Sequence, residues 1–93
     1  MANMEIEEIL DQIQMLCRKY QVEHLYLFGS YATGTATTTS DIDIIIKGGC
    51  QIDRLRDEID RIPTLKKIDV FEYDKCRNSY LKEDMDRYGR EIY

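Results

Sequence analysis

Apolar residues recur at helical spacing from Met4 to Tyr20. Ile6, Ile9, Ile13, Leu16 and Tyr20 form one stripe, while Glu7, Glu8, Asp11 and Lys19 fall outside it. The spacing predicts a first helix, with Asn3 as its N-cap and an acidic first turn that suits the helix dipole. The pattern then shortens. Val22 to Phe28 is an aliphatic and aromatic run that predicts a strand, ended by Gly29-Ser30. Ser30 to Gly34 reads as a short helix closing at Gly34. Thr35 to Ser40 is a threonine-rich connection, expected to be exposed and mobile. Asp41 to Lys47 predicts the second strand. Its Ile44-Ile45-Ile46 run implies burial on both faces, and Gly48-Gly49 breaks it.

The second half repeats the alternation. Ile52, Leu55, Ile59 and Ile62 mark an amphipathic helix over 52–62 that Pro63 stops. Lys67 to Tyr73 predicts the third strand, with Ile68 and Val70 facing one way and Asp69 and Phe71 the other. Asn78 to Tyr88 predicts a last helix whose apolar side is Tyr80, Leu81, Met85 and Tyr88. Asp74 is the expected N-cap and Gly89 the expected C-cap. The order αβ(α)βαβα implies a small α/β sandwich with a short sheet.

Ninety-three residues make one small domain, whose limited core would gain from oligomerisation or a partner. A 43% hydrophobic and 33% charged composition excludes a disordered chain. The net charge of −5 argues against a general nucleic-acid binder, and no apolar run is long enough for a membrane helix. The N-terminus shows no signal peptide. Cys17, Cys50 and Cys76 are odd in number and widely spaced, with one histidine, His24. That argues against a disulfide framework or zinc site, and the expected compartment is the reducing cytoplasm. His24 is expected to be structural, its ring donating to a backbone carbonyl. Glu72 is expected to be solvated. Tyr80, Tyr88 and Tyr93 either line an interface or border the core.

Candidate chemistry gathers around the first two strands. Asp41 and Asp43, two residues apart, share one strand face at roughly 6–7 Å, a spacing that suits one metal ion or two adjacent ones. Asp69 interrupts an apolar pattern on the third strand and meets them if strands two and three are neighbours. Crowded carboxylates raise one another's pKa, and a divalent cation removes that penalty. Hard oxygen ligands select Mg²⁺ or Mn²⁺. Gly29 lets backbone approach a phosphate, and Ser30 offers N–H and hydroxyl donors.

The pattern G-S-x-A-x-G, a short spacer, then S-D-x-D and an aliphatic run resembles the minimal nucleotidyltransferases (MNT) of the DNA polymerase β-like superfamily. LYLFGS, SDIDIII and the IDV strand carry the likeness. The closing Tyr88-Gly89-Arg90-Glu91-Ile92-Tyr93 looks like the family's C-terminus, so a complete chain, one minimal domain over 1–93, is expected. The resemblance implies a short mixed sheet flanked by helices and transfer of AMP from ATP to a hydroxyl. It implies two Mg²⁺ ions held by Asp41, Asp43 and Asp69, with Asp69 helping to deprotonate the acceptor. Gly29 and Ser30 would hold the β and γ phosphates. MNT proteins occur as antitoxins beside HEPN ribonuclease toxins, which implies a toxin tyrosine as acceptor and a hetero-oligomer, or a homodimer, as assembly. Two alternatives stay open: a non-catalytic antitoxin that occludes its partner, and a small-molecule nucleotidyltransferase of the aminoglycoside type. Many relatives carry arginine near Tyr31 or at Thr33, and neither position is basic here. Weaker ATP affinity, or a basic contact supplied by the partner, is the expected consequence, and Lys47, Lys66 and Lys67 are nearby candidates in sequence.

Overall fold

The computed structural model describes residues 6–37 and 40–93. The expected cap at Asn3, the expected helix start at Met4 and positions 38–39 of the threonine connection lie outside the described residues. The elements run α1 (Ile6–Lys19), β1 (Val22–Phe28), α2 (Ser30–Thr33), β2 (Ile42–Gly48), α3 (Ile52–Asp60), β3 (Ile68–Glu72), a 3-10 turn at Tyr73–Lys75, α4 (Ser79–Tyr88) and β4 (Arg90–Glu91). The sheet order is β3-β2-β1-β4. β2 is parallel to β3, and β1 is antiparallel to both β2 and β4. The expected short mixed sheet with flanking helices is therefore present.

The period-2 alternation of the strands sorts the side chains. Leu25, Leu27, Ile42, Ile44 and Ile46 join Ile9, Ile13 and Cys17 of α1 and Leu55 and Ile59 of α3 in one buried cluster. The buried α1 stripe runs through Ile9, Ile13 and Cys17, and Leu16 is only partly buried. Ile45 points to the other face and is equally buried. There α4 brings Met85 and Gly89 beside it. The isoleucine run of β2 is thus covered on both faces, as its composition predicts.

Four expectations change. α3 ends two residues early, because Pro63 disfavours helical geometry at Ile62. The chain finishes instead with Arg61 and Ile62 N–H groups donating to Glu58 and Ile59 carbonyls, and Ile62 still packs into the core. α4 is capped by Asn78, whose Oδ1 accepts from Tyr80 and Leu81 N–H at 3.0 and 3.2 Å. Asp74 has another role, accepting from Gly48 N–H at 2.9 Å. Gly89 is the C-cap of α4 as expected, but in an extended conformation (φ −69°, ψ 132°) and not a left-handed one. It is glycine because a Cβ there would strike the Met85 carbonyl oxygen. Finally, only Met85 of the expected α4 stripe is buried, and Tyr80 and Tyr88 are 79% and 51% exposed.

Three smaller details differ as well. His24 Nδ1 stands 3.6 Å from Glu91 Oε1 and makes no hydrogen bond to a carbonyl. Glu72 is mostly buried, bridging Arg56 at 3.3 Å and Lys75 at 3.5 Å. β4 was not anticipated, since two residues carry no periodicity. It is held by Ile92 N–H donating to Leu25 O at 2.7 Å and Leu25 N–H donating to Tyr93 O at 3.0 Å. The Tyr93 hydroxyl adds a bond to Val22 O at 3.2 Å, and Arg18 lies 4.2 Å over its ring. Among the described residues no helix is long and apolar enough to cross a membrane.

All three cysteines are free thiols. Burial pushes the Cys17 thiol up to about 12, so at about pH 8 only roughly one molecule in ten thousand carries its reactive thiolate. Iodoacetamide should label the exposed Cys50 in the native protein and leave Cys17 unmodified until denaturant is added. Peptide mass spectrometry reads both. Native labelling of Cys17 at the Cys50 rate would contradict this packing.

Candidate active site

Gly29 ends β1 and opens α2 with φ 75° and ψ −152°, a region open almost only to glycine. Its glycine identity has a second cause. A Cβ at this position would collide with Asp43 Oδ2. The Gly-Ser turn and the second carboxylate of the Asp-x-Asp pair are therefore in contact through the absent side chain. Behind the turn, Ala32 and Thr33 N–H donate to Gly29 O at 3.0 and 3.2 Å. Gly34 closes α2 in the left-handed conformation (φ 78°), as its position predicts. The first N–H groups of α2 lie ahead of its own hydrogen-bond ladder, and the Ser30 side chain is half-buried beside them.

The three carboxylates meet through sheet register. Asp43 and Asp69 are directly paired in the parallel β2–β3 ladder, on strands about 4.8 Å apart. Asp41 precedes Asp43 by two residues, has the same parity and is exposed. Phe28 pairs with Asp43 from the β1 side. The face opposite α1 and α3 thus carries Asp43 and Asp69, with Asp41 at its edge. Burial raises the Asp43 carboxyl above its ordinary value of 3.8. The negative charges of Asp69 and Asp41, and a hydrogen bond with Asp69, push the same way, while Lys67 opposes them. Among the described residues, no three Asp, Glu, His or Cys side chains stand gathered tightly enough to hold a metal ion as they are. The donor set nonetheless suits a hard divalent cation: carboxylate oxygens, one of them already strained by its neighbours' charge. Binding would require the carboxylates to draw together.

The lysines fall in three places. Lys67 Nζ lies 3.6 Å from Asp69 Oδ1. Lys66 Nζ stands 5.5 Å from the centroid of the Tyr31 ring, beside the Gly-Ser turn. Lys47 Nζ lies over Tyr73 at 5.1 Å, and the Lys47 backbone stands four residues along β2 from Asp43, roughly 13 Å of strand. Thr33, without a basic group, turns its hydroxyl toward Thr35 Oγ1 at 3.0 Å. Sequence reasoning singled out these lysines but could not place them. The Lys67 position was readable from period 2, being two residues before Asp69. The Lys66 position was not, because it depends on the turn that leads into β3.

Residues 11–93 match the family model described as polymerase beta, nucleotidyltransferase. The chain belongs to this family. It is 35% identical over 75 residues to the Methanocaldococcus jannaschii "Putative protein adenylyltransferase MJ0435", covering 75% of this chain and 80% of that relative. From the same organism, "Putative protein adenylyltransferase MJ1379" is 48% identical over 44 residues, 46% of this chain and 44% of that protein. The latter match spans less than half of the relative's length. Among solved structures, this nucleotidyltransferase domain is similar to a toxin–antitoxin crystallised with AMP-PNP, with a TM-score of 0.67 and 23% identity over 89% of this chain and 71% of that one. It is also similar to a mutant of the toxin–antitoxin MntA-HpeT, with a TM-score of 0.63 and 19% identity over 89% and 70% of the two chains. At those identities the likeness shows the shared fold.

Two outcomes follow for the domain alone. Gly29→Ala should destabilise it by about 1–3 kcal/mol through the forced backbone conformation, read by urea unfolding. An unchanged midpoint would show that the turn relaxes freely. A raised Asp43 pKa means that the native state holds this proton more tightly than the unfolded chain does. Its contribution to stability is fully present below 3.8 and is lost as pH rises through the native value. Asp43→Asn should therefore be more stable than the wild type at neutral pH without metal, with the difference vanishing in acid. A variant less stable than the wild type at neutral pH would contradict the repulsion.

Proposed function

We propose that this domain transfers AMP from ATP to a hydroxyl of a partner protein, and that the partner is the toxin of a toxin–antitoxin pair. The observation that carries the reading is the register pairing of Asp43 with Asp69 beside a glycine whose missing side chain makes room for Asp43. Family membership gives the reaction class, and the adenylyltransferase names of the relatives and the toxin–antitoxin neighbours support the narrower substrate.

Each residue has a part. Gly29 and the Ser30 N–H and hydroxyl hold the β and γ phosphates. Asp41, Asp43 and Asp69 are the ligands available to Mg²⁺, which when bound would neutralise charge on the triphosphate and offset the crowding of the carboxylates. Asp69 is among the residues lining a hollow of about 400 Å³ between α3 and β3. Its carboxylate accepts the acceptor's proton. The acceptor oxygen forms a bond to the α-phosphorus, the bond from that phosphorus to the bridging oxygen breaks, and pyrophosphate leaves with the electron pair. The acceptor proposed is a tyrosine of a HEPN-type toxin. Its charge and bulk after modification would silence the toxin.

Incubating the protein with ATP, Mg²⁺ and the protein encoded beside it should add one or more AMP units to that protein, read by intact mass. Asp41→Asn or Asp69→Asn should lower the rate by at least about 100-fold, since each removes a ligand or the base. Equal incorporation by Asp41→Asn would sink the proposal. One observation favours a second reading, neutralisation by occlusion: α2 has no basic residue of its own for the triphosphate. On that reading Asp69→Asn would still neutralise the toxin.

A further inference from the structure

The carboxylate face carries a positive charge of its own. We infer that Lys67 is a built-in counter-ion of this face, and that a divalent cation must displace its ammonium from Asp69 in order to bind. The inference rests on the metal-binding reading above and names the residue that sets how readily a cation enters.

The backbone fixes where Lys67 stands. The β2–β3 ladder begins with Ile42 beside Ile68 and continues with Asp43 beside Asp69. Asp41 and Lys67 immediately precede that first pair, and Ile42 N–H donates to Lys67 O at 2.9 Å. Lys67 therefore starts next to Asp41 across the ladder and two residues before Asp69. Period 2 gives it the parity of Asp69 and so the face that carries Asp43 and Asp69. Its Nζ lies 3.6 Å from Asp69 Oδ1, and its charge acts on Asp43 against those of Asp69 and Asp41. One ammonium thus stands among the carboxylates proposed above as Mg²⁺ ligands.

This contact is built to be exchanged. At 3.6 Å it is an ion pair too long for a hydrogen bond, and the Lys67 side chain is 72% exposed, so its departure uncovers little. Exposed pairs of this kind are weak, whereas a hard dication brings twice the charge and coordinates the carboxylate oxygens directly. Among the described residues the carboxylates are not gathered tightly enough for a metal ion as they stand. Release of Asp69 from the ammonium is the movement that lets them draw together. Lys67 acts through Asp69 and is a positioning residue, not a ligand.

The experiment follows Mn²⁺ binding to the full chain by electron paramagnetic resonance, without nucleotide. Lys67→Gln should bind Mn²⁺ about three- to tenfold more tightly than the wild type, and Lys67→Arg, which keeps the charge, should bind as the wild type does. In an Asp69→Asn background the same Lys67→Gln change should lose most of its effect, because the contact it releases is already gone. In AMP transfer, Lys67→Gln should lower the Mg²⁺ concentration that gives half the maximal rate, a shift that loss of a merely structural contact would not produce. Unchanged Mn²⁺ affinity in Lys67→Gln would overturn the inference and leave the metal-binding reading standing. Equal tightening with and without Asp69, or equal tightening by Lys67→Arg, would also overturn it. If neither the wild type nor Lys67→Gln binds Mn²⁺, the metal-binding reading falls, and the inference with it.

Discussion

The site depends on one constraint, the strict alternation of β2 between its two neighbours. Ile42, Ile44 and Ile46 must enter the core against α1 and α3, and this forces Asp43 and Ile45 onto the opposite face. The hydrophobic effect thus sets the direction of a carboxylate. Three isoleucines buried at a few kcal/mol each hold the orientation of a group that electrostatics alone would send to solvent. A slip of one residue in register would exchange the two sets and lose core and site together.

The other strands complete the arrangement from opposite sides. β3 runs parallel to β2 and supplies Asp69 in register, while β1 runs antiparallel and supplies Gly29 at its end. The carboxylates come together because backbone ladders hold them, despite mutual repulsion. The resulting strain falls on Asp43, whose carboxyl is raised by burial and by the charges of Asp69 and Asp41. Lys67 offsets part of it. Under the proposed function, a bound cation would relieve that strain.

Much of this was legible in the chain. The helix stripes, the isoleucine run and the Gly-Ser punctuation placed α1, α3, β1 and β2, because burial imposes periods that composition reveals. The pairing of Asp69 with Asp43 was readable only on the condition that β2 and β3 are neighbours, which the sequence did not determine. Local capping was misread at Asp74, because Asn78 stands immediately before the helix and offers the better geometry. Gly89 was placed correctly for a different reason, a close approach to Met85 instead of a left-handed turn. β4 escaped notice since its two residues owe their strand geometry wholly to β1. Lys66 could not be placed because its reach depends on a turn and an aromatic ring 35 residues earlier in the chain.

The contact between Gly29 and Asp43 also ties the place of a carboxylate to the absence of a side chain. One oxygen of Asp43, Oδ2, occupies the space that a side chain at position 29 would take. Any side chain at position 29 would displace that oxygen, so the smallest residue in the chain sets where this carboxylate can stand.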